Sequence, residues 1–192
     1  MKKRMIKSPS IEFSMFLLLL PFLLFFVTAC GRSQKLTKIE VTVDPRVELM
    51  STVCRLAGYD EYNMGSYPAY YKIVGDYFKD FENHQAVQIA KKIRETNDIA
   101  FNAPIGLATY LKDVETMETK IPFTSIPEDL DQRWDTEIAA TFTSALKEFW
   151  IDSDFKGFME TNQAIYDTAI SRFEVLMEKH DLINWFSDYF GV

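Results

Sequence analysis

From Pro45 to Phe190 the apolar residues recur mostly at helical intervals. Val47, Met50, Cys54 and Ala57 share one face, with Asp44-Pro45 as cap and first helical residue and Gly58 as the stop. Pro68 opens a second helix striped by Tyr70, Val74, Tyr77, Phe78 and Phe81. A third, about 85–95, carries Val87, Ala90 and Ile93. A fourth starts at Pro104 with Ile105, Leu107, Ala108 and Leu111. Residues 113–131, which hold Pro122 and Pro127, read as loop. Two longer helices follow, about 132–150 through Ile138, Phe142, Ala145, Leu146 and Phe149, and about 154–179 through Phe158, Ile165, Ala169, Phe173 and Leu176. A last amphipathic piece, 182–190, presents Trp185, Phe186 and Tyr189. Only Lys38-Ile39-Glu40-Val41-Thr42-Val43 alternates with period two, as a half-buried strand does. The expected fold is mainly α, six or seven helices with one short N-terminal β-strand.

The first thirty residues follow a different rule. Lys2, Lys3, Arg4 and Lys7 precede an apolar run, Phe13 to Val27, broken only by Ser14 and Pro21. As a helix that run is about 22 Å long, short of the ~20 residues a span requires. A positive start and a short apolar core describe a secretory signal. Val27-Thr28-Ala29-Cys30 resembles the lipobox of bacterial lipoproteins, in which the cysteine thiol is diacylated, the leader is cut before it and the new amine is acylated. Only cysteine offers a thiol for that thioether, and acyl chains at ~0.8 kcal/mol per buried methylene hold a domain to a bilayer. The expected division is a signal peptide over 1–29, a lipidated tether over 30–37 and a helical domain over 38–192. Gly31 follows Cys30 where an aspartate would resemble an inner-membrane retention signal. That favours the outer membrane of a Gram-negative cell.

Cleavage would remove four cations and one acid, taking the net charge of −7 to about −10 over 163 residues. An acidic body of that size is repelled by nucleic acid and by anionic lipid, so no nucleic-acid partner is expected and membrane contact falls to the acyl chains on Cys30. With Cys30 acylated, Cys54 has no cysteine to pair with and reads as a small buried hydrophobe.

Asp152-Ser153-Asp154-Phe155-Lys156-Gly157 starts like a calcium loop, yet Lys156 and Gln163 stand where oxygen ligands belong. Asp152 or Asp154 as a helix cap is the simpler reading. Glu82 and His84 lack the converging partners zinc requires, and His84 or Asn83 fits a cap. Glu174 and Glu178 read as a solvated face. No metal, cofactor or catalytic residue is assigned: the chain lacks a phosphate loop, a nucleophile elbow and His-Glu-x-x-His. Among sixteen Phe, nine Tyr and three Trp, the cluster Tyr59, Tyr62, Tyr67, Tyr70 and Tyr71 stands apart, because it surrounds a loop. Exposed rings there suit stacking on a glycan or peptide.

"VTVDPRVELMSTVCRLAGYDEYN", then "YPAYYKIVGDYFKDFENHQAV" and the closing "INWFSDYFGV", resemble the domain-of-unknown-function family 4932 over most of residues 38–190. These are secreted or lipid-anchored proteins of Gram-negative bacteria whose longer members resemble gluzincin-like metallopeptidases. Their His-Glu-x-x-His lies beyond the aromatic segment, and neither His84 nor His180 is followed by glutamate, so no zinc ligand carries over. The resemblance implies the non-catalytic N-terminal portion of such a lipoprotein, truncated at its C-terminus. The alternative expectation is a complete helical lipoprotein that binds a glycan or peptide through Tyr59, Tyr62, Tyr67 and Tyr70.

Overall fold

The computed structural model describes residues 40–65, 67–120, 122 and 124–191. The signal peptide, Cys30 and the tether lie outside the described residues. Residues 40–179 form one compact body, and residues 180–191 are described by themselves. The described chain is mainly helical, as its periodicity implies.

Asp44 sets the first boundary. Its carboxylate accepts the Arg46 N–H at 2.9 Å, Pro45 follows with no N–H to satisfy, and α1 runs Pro45–Leu56. The same carboxylate holds the Arg46 guanidinium, which also donates to the Leu111 carbonyl at the far end of another helix. A short 3-10 turn, Asp60–Tyr62, leads to α2 (Pro68–Phe78), and a second such turn, Lys79–Phe81, to α3 (Gln85–Asn97). Then come α4 (Asn102–Tyr110), α5 (Thr136–Asp152), α6 (Phe155–Thr161), α7 (Gln163–His180) and α8 (Leu182–Phe190).

Eight helices stand among the described residues, one more than expected. The single long helix expected over 154–179 is two, parted at Asn162. There the side-chain amide donates to the Phe158 carbonyl at 2.8 Å and competes with the helical ladder. α5 begins at Thr136, later than the pattern suggests, because Asp135 is its cap: Oδ1 accepts the Ile138 N–H at 2.7 Å. α4 begins before Pro104, which sits in the first turn where a missing N–H costs nothing. Of the expected strand, Lys38 and Ile39 lie outside the described residues, and residues 40–44 carry no regular secondary structure. Among the described residues, pairing of that type is limited to an isolated antiparallel bridge, Leu111 to Thr119.

α1 is the centre of the body, flanked by α3, α4 and α5. Its inward face buries Leu49, Met50, Val53 and Cys54. At the other end of α5 four phenylalanines close together: Phe78 stacks on Phe155 at 5.2 Å between centroids, and lies 4.8 Å from Phe158 and 5.7 Å from Phe149. All four are fully buried, so this nest locks α2, α5 and α6 to one another. No helix among the described residues is long and apolar enough to cross a membrane. In residues 180–191, α8 ends at Gly191 in the left-handed region (φ 71°). Along α8, Trp185 stacks on Tyr189 at 5.4 Å and Phe186 on Phe190 at 5.5 Å; all four rings are exposed.

Candidate functional site

The tyrosines grouped around residues 59–71 go to different places. Gly58, at φ 81°, turns the chain back across the end of α1 and drives Tyr59 into the core. Tyr59 is fully buried, its hydroxyl donates to the Ala90 carbonyl at 2.8 Å, and the Arg94 guanidinium lies over its ring. Tyr62 packs edge-on against Tyr59 and donates to the Phe101 carbonyl at 2.6 Å. Phe101 is itself an unusual residue, at φ 56° with its ring exposed. Glu61 receives its N–H at 2.9 Å and pairs with Arg94, so the turn at 60–62 holds this backbone in place. Tyr71 lies beneath Arg55, 3.5 Å from ring centroid to guanidinium carbon. The expectation that Tyr59 and Tyr62 offer free rings to a ligand is therefore corrected: both are spent on tertiary structure. Tyr67 is exposed, and Tyr70 joins the tertiary structure through its hydroxyl while still lining open surface. Because α2 starts at Pro68, Tyr70 and Tyr71 point about 100° apart around the helix, so Tyr71 meets Arg55 while Tyr70 lines a groove beside Glu48.

Tyr67 and Tyr70 line a groove of about 730 Å³. One wall is Val43 with the first turn of α1, another is the start of α2, and the third is α7 through Ile165, Ala169, Phe173 and Leu176. Those four α7 residues follow the helical stripe expected of a core, yet Phe173 and Leu176 are 48% and 44% exposed. Here the stripe lines an open groove instead of a closed interior.

Glu48 lies at the junction of the three elements. Its Oε1 accepts the Tyr70 hydroxyl and faces Tyr166 at 3.5 Å, while the two phenol oxygens are 3.1 Å apart. Burial pushes the Glu48 carboxyl up to about 7, against the Tyr166 hydrogen bond, which pulls it down. The Tyr166 phenol is in turn raised by burial and by the Glu48 charge, so it stays protonated. Arg172 also lines the groove, and no carboxylate pairs with it among the described residues. Glu48, Tyr166 and Arg172 are the residues that pattern reading passes over. The one available signal was an acid flanked by Val47 and Leu49 on a helix whose neighbouring face is apolar.

The other sequence candidates have structural occupations. His84 caps α3: its Nδ1 accepts the Ala86 N–H at 3.1 Å, which leaves the proton on Nε2, 3.4 Å from Asp152. Its remaining lone pair is thereby used. Asp154, at φ 47°, caps α6 by accepting the Gly157 N–H at 3.2 Å. A Cβ on Gly157 would run into that carboxyl, which accounts for the calcium-like spacing of aspartate and glycine. Cys54 is fully buried and burial raises its thiol pKa, so it is held as the thiol. Glu174 and Glu178 are solvated. No cluster of three or more His, Cys, Asp or Glu that could hold a metal occurs among the described residues.

No family model, curated protein or solved structure matches this chain.

Proposed function

We propose that the chain is a lipid-anchored envelope protein that binds a ligand in the groove between α1, α2 and α7, without chemistry of its own. The observation that carries this is the groove itself. At about 730 Å³ it is of the size that takes small molecules, and it combines apolar walls with a few converging polar groups, Glu48, Tyr70, Tyr166 and Arg172. Lipidation at Cys30 rests on the lipobox resemblance, and an outer-membrane address on Gly31. The apolar wall suits a peptide or hydrocarbon better than a glycan, which needs a denser set of polar partners. Native mass spectrometry of the full-length protein, released from detergent, tests the reading. Wild type should retain a bound molecule, and Ala169→Trp, which fills the groove from an exposed helix position, should lose it. Equal retention by both, or by neither, contradicts it.

A second reading keeps the resemblance to the domain-of-unknown-function family 4932 and makes residues 38–192 the non-catalytic front of a gluzincin-like protein. The four exposed aromatic rings of α8 favour it, since they form a face suited to further protein surface. Reading the DNA past codon 192 in all frames tests it: a His-Glu-x-x-His supports it, and an unrelated gene directly after a stop contradicts it.

A further inference from the structure

Resting on the groove reading above, we propose that the groove's ligand is a single-chain anionic amphiphile. Its acid group pairs with Arg172, and its hydrocarbon chain runs along α7 past Ala169 and Ile165 towards the floor formed by Glu48, Tyr70 and Tyr166. Three observations converge on that occupant.

The ionisable side chains among the groove's lining residues, phenols aside, are Glu48 and Arg172. Arg172 has no carboxylate partner among the described residues, so a guanidinium with its full donor fork stands beside apolar surface. An acid is the group that fork is shaped to hold.

The floor is bonded within itself: Tyr70 donates to Glu48 Oε1, Tyr166 faces the same oxygen at 3.5 Å, and the two phenol oxygens lie 3.1 Å apart. Covering the floor with hydrocarbon favours the neutral acid, since burial penalises charge. With Glu48 neutral, the groove's charge is the single positive one at Arg172. A cationic head would gain nothing at the floor and would meet Arg172 at the mouth.

Shape completes the case. From Arg172 back to Ile165 the helix rises about 10 Å, with the small Ala169 side chain between them on the groove wall. Phe173 and Leu176 flank the mouth, half-exposed as they stand and coverable by the first methylenes of a chain. A stretch of that length, apolar but for one cation, matches a hydrocarbon chain with an acid head.

Photolabelling decides it. The full-length protein in phosphatidylcholine nanodiscs is exposed to a diazirine-bearing dodecanoic acid or to the matching alcohol, and labelled peptides are mapped. The acid should label the Ile165–Leu176 stretch at least fivefold more than the alcohol, and excess unlabelled dodecanoate should compete. Arg172→Gln should bring the acid down to the alcohol level, and Ala169→Trp should suppress both. Equal labelling by acid and alcohol, unchanged in Arg172→Gln, overturns acid recognition while leaving an apolar groove in place. Failure of both probes to label α7 overturns the amphiphile altogether, whereas the groove reading stands or falls on the mass-spectrometric comparison. Competition by phosphatidylglycerol vesicles as strong as by free dodecanoate would assign the site to a membrane lipid and overturn the single-chain ligand.

Discussion

Tyr70 on α2 donates its hydroxyl hydrogen to the carboxyl of Glu48, twenty-two residues earlier on α1, with Tyr166 of α7 closing the set from the third side. One acid thus ties together three helices at the base of an otherwise apolar groove.

The first consequence is a pH-dependent stability of opposite sign to the usual carboxylate. Glu48 is raised from an ordinary 4.5 to about 7 on folding, so the folded state holds more protons between those values. Its contribution is complete below about 4.5 and is lost as pH rises through 7, by on the order of 3 kcal/mol. Asp44, Glu61 and Asp131 are lowered by their arginine partners and backbone hydrogen bonds, and act only at the acid end, where their stabilisation is lost as pH falls below about 4. Urea unfolding of wild type and Glu48→Gln at pH 5.5 and 8 isolates the effect. The stability difference, wild type minus variant, should fall across that interval; a constant difference would rule the burial out.

Cys54 provides a second test. It is fully shielded in the α1 face with its thiol pKa raised, so alkylation of native protein should be negligible and should appear only with global unfolding. Stoichiometric labelling without denaturant would show that α1 opens locally.

The phenylalanine nest should dominate the energetics of the body. Phe158→Ala removes a ring in contact with Phe78, Phe155 and Tyr77 and should cost about 3–5 kcal/mol. Tyr59→Phe, which strips one buried hydroxyl from the Ala90 carbonyl, should cost about 1 kcal/mol. Chemical denaturation measures both. A Tyr59→Phe loss as large as that of Phe158→Ala would contradict the assignment of the two roles.

The anchor has its own test. Cys30→Ala should abolish incorporation of labelled fatty acid and leave precursor of full length; unchanged incorporation would remove the lipobox reading.

How far the sequence could be read follows from the physics of each element. Caps and prolines act locally, so Asp44-Pro45, Pro68 and the end of α1 at Gly58 were visible in the order of residues. Asn162 was not, because a break made by one side-chain amide leaves the apolar spacing on either side intact. The tyrosine cluster misled for a similar reason. Adjacency in sequence put Tyr59 and Tyr70 together, whereas Gly58 sends one into the core and the first turn of α2 sends the other into the groove. The groove needed tertiary information, since Glu48 and Tyr166 meet in space although 118 residues of sequence part them. An α7 stripe made of Ile165, Ala169, Phe173 and Leu176 looks the same in sequence whether another helix covers it or a ligand does.

The titration of Glu48 itself is the most direct test. Carboxyl-carbon NMR on glutamate-labelled full-length protein, with the resonance assigned by its loss in Glu48→Gln, should give a midpoint near 7. A midpoint in the ordinary glutamate range, roughly 4.3, would mean that water reaches the carboxyl freely, and that the buried groove floor does not exist.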